Sequence, residues 1–281
     1  MKKILVTGAG GFVGARVMQQ WAGRYALCAF PKGFLAMADE AAVRQVLLEQ
    51  RPDAILHMAA LSDTGYCARH PDEARRANVE LPVWIARAAA ECGAKLVAFS
   101  SDQVYAGVEQ HGPLPETLEL HPSNEYGRGK LEMEQQVQAV CPEAVLLRAT
   151  WMYDLPGYGL PIRGNLPLNL LRAAVRGETV TFSRNDFRGV TYARQAVENL
   201  ELALQLPGGV YNFGSANDTD MVHTAQQFAQ IMGIRAKIDE ADWNRNLAMD
   251  ATKAEGLGIR FDTTQQGIRR CWMDYGLGDA R

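Results

Sequence analysis

Residues 3–14 read KILVTGAGGFVG. Positions 4–7 are a short apolar and β-branched run suited to a fully buried strand, and glycines follow at once at 8, 10, 11 and 14. After Gly14 the spacing of Ala15, Val17, Met18 and Trp21 is helical. A strand, a glycine turn and a helix in this order aim the free N–H groups of the helix at whatever lies above the strand end, and a pyrophosphate suits that place. Reading G-x-G-x-x-G from Gly8 and Gly10 fails, because Val13 stands where the third glycine belongs. Gly8, Gly11 and Gly14 fit G-x-x-G-x-x-G instead, with a tight turn at Gly8, close backbone approach near Gly11 and close packing at Gly14. An ordinary glycine-rich loop would satisfy the same letters.

Outward from this stretch, strand and helix patterns alternate. Residues 25–30 suggest a second strand that ends without the acid expected to bind an adenosine ribose. Lys32 stands there, and with Arg16 on the first helix it suits a 2′-phosphate, favouring NADP over NAD; a solvated lysine is the plain alternative. Residues 39–50 have helical spacing and 54–58 are a third strand, followed by the small pair Ala59 and Ala60, which would let a cofactor approach the backbone. Pro71 opens a long helix over about 72–92, stopped by Gly93, and 95–99 form a fourth strand. This alternation predicts an α/β fold with a doubly wound parallel sheet of the Rossmann type. Ligands then bind beyond the carboxyl ends of the strands, which brings Ser100, Ser101 and Asp102 beside the glycine loop.

Composition narrows the function. A net charge of −3 and a pI near 6.0 give no basic field for nucleic acid. No apolar run is long enough to span a bilayer, and Met-Lys-Lys leads directly into strand, so a cytoplasmic enzyme is expected. The five cysteines and five histidines form no metal-ligand spacing.

Tyr126 and Lys130 stand four apart in the only Y-x-x-x-K of the chain, so on a helix they share a face. A lysine ammonium beside a phenol lowers its pKa toward proton transfer, and Ser101 could orient a carbonyl oxygen next to it; taken alone, the same spacing equally describes a solvated helix face. Beyond residue 150 the alternation lapses. Helices are expected near 165–176, 192–204 and 221–232, a strand at 179–182, and a strand at 209–213 that could rejoin the main sheet. The expected organisation is a cofactor-binding domain over 1–150, completed by about 186–214. A small C-terminal α/β substrate lobe from 151–185 and 215–281 would pack directly against it.

TGAGGFVG at the N-terminus, HMAA after the third strand, FSSDQVYAG after the fourth and Tyr126-x-x-x-Lys130 together resemble the extended short-chain dehydrogenase/reductase family. LLRATWMY, FRGVTYARQAVENLELAL, GVYNFGS and LAMDATKAEGLGI are similar to its branch of dTDP-4-dehydrorhamnose reductases. The resemblance implies a catalytic Ser101, a proton donor Tyr126, and Lys130 on the nicotinamide ribose, with Asp102 matching the acid that follows the catalytic hydroxyl. It also implies a cofactor site with Gly8, Gly11, Phe12, Val13, Gly14, Ala59, Ala60 and Asn78, and sugar contact at Trp151. Ser101-Asp102-Gln103 departs from the Thr-Asp-Glu of nucleotide-sugar dehydratases, which argues against elimination. The implied activity is reduction of a nucleotide-linked 4-keto-6-deoxysugar by NADPH or NADH, with a homodimer possible. An epimerase, or a non-catalytic subunit like the regulatory subunit of methionine adenosyltransferase, would carry similar residues.

Overall fold

A computed structural model describes residues 1–31 and 33–278. Lys32, expected at the cofactor, therefore lies outside the described residues. The chain begins with β1 (Lys3–Thr7), α1 (Phe12–Gln20) and β2 (Ala26–Ala29), followed by α2 (Phe34–Met37), α3 (Glu40–Gln50) and β3 (Ala54–His57). Asp39 caps α3 by accepting from the Ala42 amide, one residue before the helix itself begins.

The long helix expected over 72–92 is instead three segments in series. These are α5 (Pro71–Arg75), a π turn (Arg76–Glu80) and α6 (Leu81–Cys92), and a short α4 (Thr64–Arg69) precedes them unannounced by any apolar period. β4 (Lys95–Ser101) runs two residues further than its apolar core suggested and gives way to a 3-10 turn (Asp102–Tyr105). α7 (Glu125–Val140), capped by Asn124, carries the Tyr-Lys pair and leads to β5 (Val145–Ala149).

The second half contributes β6 (Trp151–Tyr153), α8 (Leu166–Arg176), β7 (Thr179–Ser183), β8 (Asp186–Arg188), β9 (Val190–Tyr192), α9 (Ala193–Ala203) and β10 (Gly209–Phe213). It closes with α10 (Met221–Ile231), β11 (Lys237–Ala241), β12 (Arg245–Leu247), α11 (Thr252–Gly256) and α12 (Thr264–Asp274). The main sheet is parallel with order β10-β5-β4-β3-β1-β2, so the strand at 209–213 does rejoin it, in register from Gly209 opposite Val145. Three further two-stranded parallel ladders, β11 with β7, β12 with β8 and β6 with β9, shape the rest.

Alternation along each central strand explains the double winding. Ile4, Val6, Leu56, Val97 and Leu147 face one core, which α1 and α9 cover with Val17, Trp21, Val197 and Leu200. Leu5, Ile55, Leu96 and Leu146 face the opposite core under α3, α6 and α7, with Leu47, Ile85 and Val137. A strand apolar on both faces can only be buried by helices on both sides. A separate cluster of Tyr153, Leu166, Leu170, Tyr192, Phe228 and Ile268 holds the C-terminal elements together. Its junction with the sheet is tight: Thr150 Oγ1 and Thr191 Oγ1 are 2.5 Å apart, and Thr191 Oγ1 accepts from the Ser215 amide at 2.7 Å.

Candidate active site

Strand order reverses at β1, with β2 on one side and β3 on the other, and the rule for open α/β sheets puts the ligand crevice beyond those strand ends. A cleft of about 840 Å³ opens there, lined by Gly8 and 11–14, Ala59 and Ala60, Ser101 and Asp102, Tyr126, Lys130 and Trp151. Most residues singled out in the sequence thus meet on one surface. The glycine loop is built as its spacing suggests. Gly8 has φ +69° and accepts from the Gly11 amide at 2.8 Å. A Cβ on Gly14 would stand 2.1 Å from the Gly8 carbonyl oxygen, so only hydrogen fits between helix and loop. Gly11, the N-cap of α1, offers no side chain to its first-turn amides, which leaves them to an anion in the cleft.

Thr7 ties this loop to the next strand. Its hydroxyl accepts from the amides of Met58 (3.1 Å) and Ala59 (3.2 Å) and lies 2.8 Å from His57 Nδ1. With both lone pairs taken by amides, the hydroxyl proton goes to Nδ1, which makes His57 the Nε2–H tautomer. Burial first, and the Lys130 cation second, push the His57 pKa down to about 3, so the ring stays neutral.

Asn78 is placed differently from the expectation that it meets the cofactor. It lies buried in the π turn, off the cleft wall, and clasps Leu61 twice: its Oδ1 accepts from the amide (3.0 Å) and its Nδ2 donates to the carbonyl (2.8 Å). Its work is to hold the segment after β3, including Ala59 and Ala60. Arg16 also departs from its suggested part as a phosphate partner, since it is buried with its Nε 2.5 Å from Asp154.

Tyr126 and Lys130 share a face of α7 toward the cleft, and the lysine Nζ lies 5.9 Å from the phenol ring centre. That Nζ donates to the Phe99 carbonyl at 2.8 Å. Burial lowers its pKa to about 8, against the upward pull of Glu134. The phenol, in contrast to the simple lysine argument, is pushed well above its ordinary value, by burial first and by the Asp102 carboxylate. The Ser101 hydroxyl and the Arg163 cation pull the other way. Buried phenol beside a hydroxyl is a proton donor in waiting: it stays protonated until charge develops on a neighbouring oxygen.

Behind the lysine, Glu134 is held by Arg148, whose Nη2 lies 2.7 Å from Oε2, and by the Ser100 hydroxyl at 2.5 Å. Arg148 also donates to the Tyr105 hydroxyl (2.8 Å), which donates to Asn212 Oδ1 (2.9 Å). The network spans β4, α7, β5 and β10 and fixes the backs of the strands whose tips carry the site.

Three cleft residues escaped the sequence reading. Arg188 Nη2 donates to Asp102 at 2.6 Å, and its guanidinium lies 5.2 Å over the Trp151 ring. Arg245 Nε donates to Asp186 at 2.8 Å. Arg163 donates to the Ser62 hydroxyl at 2.8 Å and lies 5.4 Å over the Phe12 ring. Asp102 is thus occupied with an arginine, and the neighbouring position 103 holds not an acid but an amide, which accepts from Asn124 at 3.1 Å.

Residues 1–254 match the model of the family described as the RmlD substrate binding domain. The chain belongs to that family. Among curated RmlD-like relatives, the spore coat polysaccharide biosynthesis protein SpsK of Bacillus subtilis is 25% identical over 240 residues, covering 85% of this chain and 82% of that protein. The dTDP-4-dehydrorhamnose reductase of Mycolicibacterium smegmatis is 33% identical over 153 residues, or 54% of this chain and 46% of that protein. Methionine adenosyltransferase 2 subunit beta of Danio rerio is 32% identical over 160 residues, 54% of this chain and 48% of that one. In three dimensions the dTDP-4-dehydrorhamnose reductase of Bacillus anthracis in complex with NADP superposes with a TM-score of 0.87 at 21% identity, covering 98% of this chain and 99% of that one. That likeness bears out the doubly wound α/β fold.

Proposed function

We propose that this protein is a reductase of a sugar-like ketone, in first place a nucleotide-linked 4-keto-6-deoxysugar, with NADP as the preferred cofactor and NAD as the alternative. The observation that carries the reading is the convergence of Ser101, Tyr126 and Lys130 in the cleft that also holds the glycine loop. The residues fit a dinucleotide: a left-handed Gly8, a Gly14 with no room for a side chain, and small Ala59 opposite. Preference for NADP rests on Lys32 and on the sequence at the end of β2, where Phe30 and Pro31 stand in place of an acid.

When bound, a reduced nicotinamide supplies the hydride. Gly8 and 11–14 would hold its diphosphate end, and Lys130 would hold the ribose near the phenol. Tyr126 gives its proton to the alkoxide oxygen formed at the former carbonyl, and the Ser101 hydroxyl donates a hydrogen bond to that same oxygen. Trp151, backed by Arg188, forms the wall for the sugar. Asp102 keeps Arg188 in position. Residues 1–150 with about 186–214 form the main part of the cofactor site, and the remainder contributes most of the substrate side. A homodimer and a cytoplasmic site of action complete the reading; among the described residues no helix is long and apolar enough to cross a membrane.

The experiment is nicotinamide absorbance against time, with NADPH and NADH, over a panel of nucleotide-linked 4-keto-6-deoxysugars. Stoichiometric loss of reduced cofactor with one of them supports the reductase. Interconversion of sugars without net loss supports an epimerase. The likeness to a methionine adenosyltransferase subunit favours a second reading, a non-catalytic NADP-binding subunit. Cofactor binding without turnover, together with copurification of a larger enzyme, would decide for it.

A further inference from the structure

Residues 154–165 leave β6, cross above the start of α1 and end at the cap of α8. This strap is fastened at several points. Asp154 pairs with Arg16, and Arg16 Nη1 also donates to the Pro161 carbonyl at 3.1 Å. The Tyr275 hydroxyl lies 2.9 Å from Asp154 Oδ1 and 2.7 Å from the Leu155 carbonyl. Asn165 Nδ2 donates to the carbonyls of Asp154 (2.9 Å) and Arg163 (3.2 Å), while its Oδ1 caps α8. The backbone of Arg163 is thus fixed by its neighbours, and its side chain is left to the cleft.

The three guanidiniums in the cleft lining, and Arg16 buried behind it, are not alike. Arg16, Arg188 and Arg245 pair with Asp154, Asp102 and Asp186. Arg163 has no carboxylate partner among the described residues and lines the cleft wall, with Ser62 as its hydrogen-bond acceptor. The Phe12 ring, on the first residue of α1, has two of these cations near it: paired Arg16 at 4.1 Å and unpaired Arg163 at 5.4 Å from its centre. A cation held without a counter-ion beside a glycine loop, whose amides also seek an anion, is matched by a diphosphate.

We propose that Arg163 grips the diphosphate of the bound dinucleotide beside the glycine loop, with the strap 154–165 serving to hold it there. This rests on the cofactor reading above. The diphosphate of a nucleotide sugar has the same chemistry, but Arg163 touches Phe12 and Ser62, which follow β1 and β3 on the cofactor side. Arg188 and Arg245 stand on β8 and β12, at the substrate end.

The test is titration of NADPH by fluorescence and of dTDP by calorimetry, on wild type, Arg163→Gln and Arg163→Lys, with thermal melts alongside. Loss of a charged hydrogen bond of this kind predicts NADPH binding weakened roughly ten- to a hundred-fold in Arg163→Gln, with a shallower salt dependence. Arg163→Lys retains part of the affinity, dTDP binding stays within about two-fold, and the melts coincide because the strap uses the Arg163 carbonyl. Unchanged NADPH affinity in Arg163→Gln overturns the proposal alone. A fall in dTDP affinity, with or without NADPH, overturns it in favour of a substrate contact or a general cleft field. A wild-type protein that binds neither NADPH nor NADH overturns the cofactor reading as well.

Discussion

Replacing Gly14 by alanine tests the glycine loop with a single methyl group. An ideal Cβ there stands 2.1 Å from the Gly8 oxygen, 2.7 Å from the Gly8 carbonyl carbon and 3.0 Å from the Ala9 Cα. All three are backbone atoms, so no side chain can swing aside. Gly8 cannot retreat either, because its other face lies against the Ala59 amide: a Cβ on Gly8 would stand 2.9 Å from that nitrogen. Helix and loop must therefore part by about 1 Å, a form of overpacking that costs about 1–3 kcal/mol. In a chain of this size that corresponds to a melting temperature lower by roughly 2–10 °C. The displaced amides are those proposed to hold the diphosphate, so a loss of about 1.4 kcal/mol there predicts NADPH affinity lower by about ten-fold. Gly10→Ala is the matched control. Gly10 is exposed and its Cβ would meet nothing within 4 Å, so its melt and NADPH titration should match wild type. Should Gly14→Ala bind NADPH and melt like Gly10→Ala, the account of the loop as a tightly closed cradle is wrong.

Tyr126→Phe should keep NADPH affinity and lose about 10²- to 10⁴-fold in turnover, because it removes a proton donor and little else; equal turnover would remove Tyr126 from the chemistry. Arg148→Met leaves the Glu134 carboxylate buried without its partner, and urea unfolding should show a loss of about 3–5 kcal/mol. A loss under about 1 kcal/mol would mean that water reaches Glu134. The pH dependence of His57 has a definite sign. Its folded pKa of about 3 is depressed below its unfolded value, so its contribution is fully present above about pH 6.5 and disappears as pH falls toward 3, a loss of up to roughly 4 kcal/mol. His57→Gln should flatten the urea midpoint against pH over that window, and profiles parallel to wild type would place the acid sensitivity elsewhere.

The parts of the site that were legible in the sequence are those governed by short-range geometry. A glycine turn after a buried strand, small residues after the next, and a tyrosine and lysine one helical turn apart each state their own placement. The doubly wound sheet then brings them together without further information. What local pattern misses is the pairing of charges far apart in the chain. Arg188 meets Asp102 across 86 positions and Arg16 meets Asp154 across 138, and neither distance leaves a periodic trace. Arg16 was accordingly misread as available to a phosphate. Asn78 stands in a π turn that looks in sequence like an unbroken helix, and its amide is spent on the Leu61 backbone. Arg163 had one faint signal: it is the sole charged residue in a stretch, 155–167, otherwise made of proline, glycine, apolar residues and one asparagine. A lone cation in so stiff a loop asks for an anion.

The return of β10 to the edge of the main sheet has a consequence for synthesis. Gly209 pairs with Val145, so the last strand of the sheet leaves the ribosome only after β6 to β9 and α8 and α9 have been made. Until then β5 is an open edge, and the Arg148 network lacks Asn212. A nascent chain halted between those points exposes a row of unpaired amides beside an unfinished polar core, the kind of edge that invites pairing with another chain. The main sheet is therefore not a unit that can be made first and finished later; its last strand comes from beyond β9 and α9.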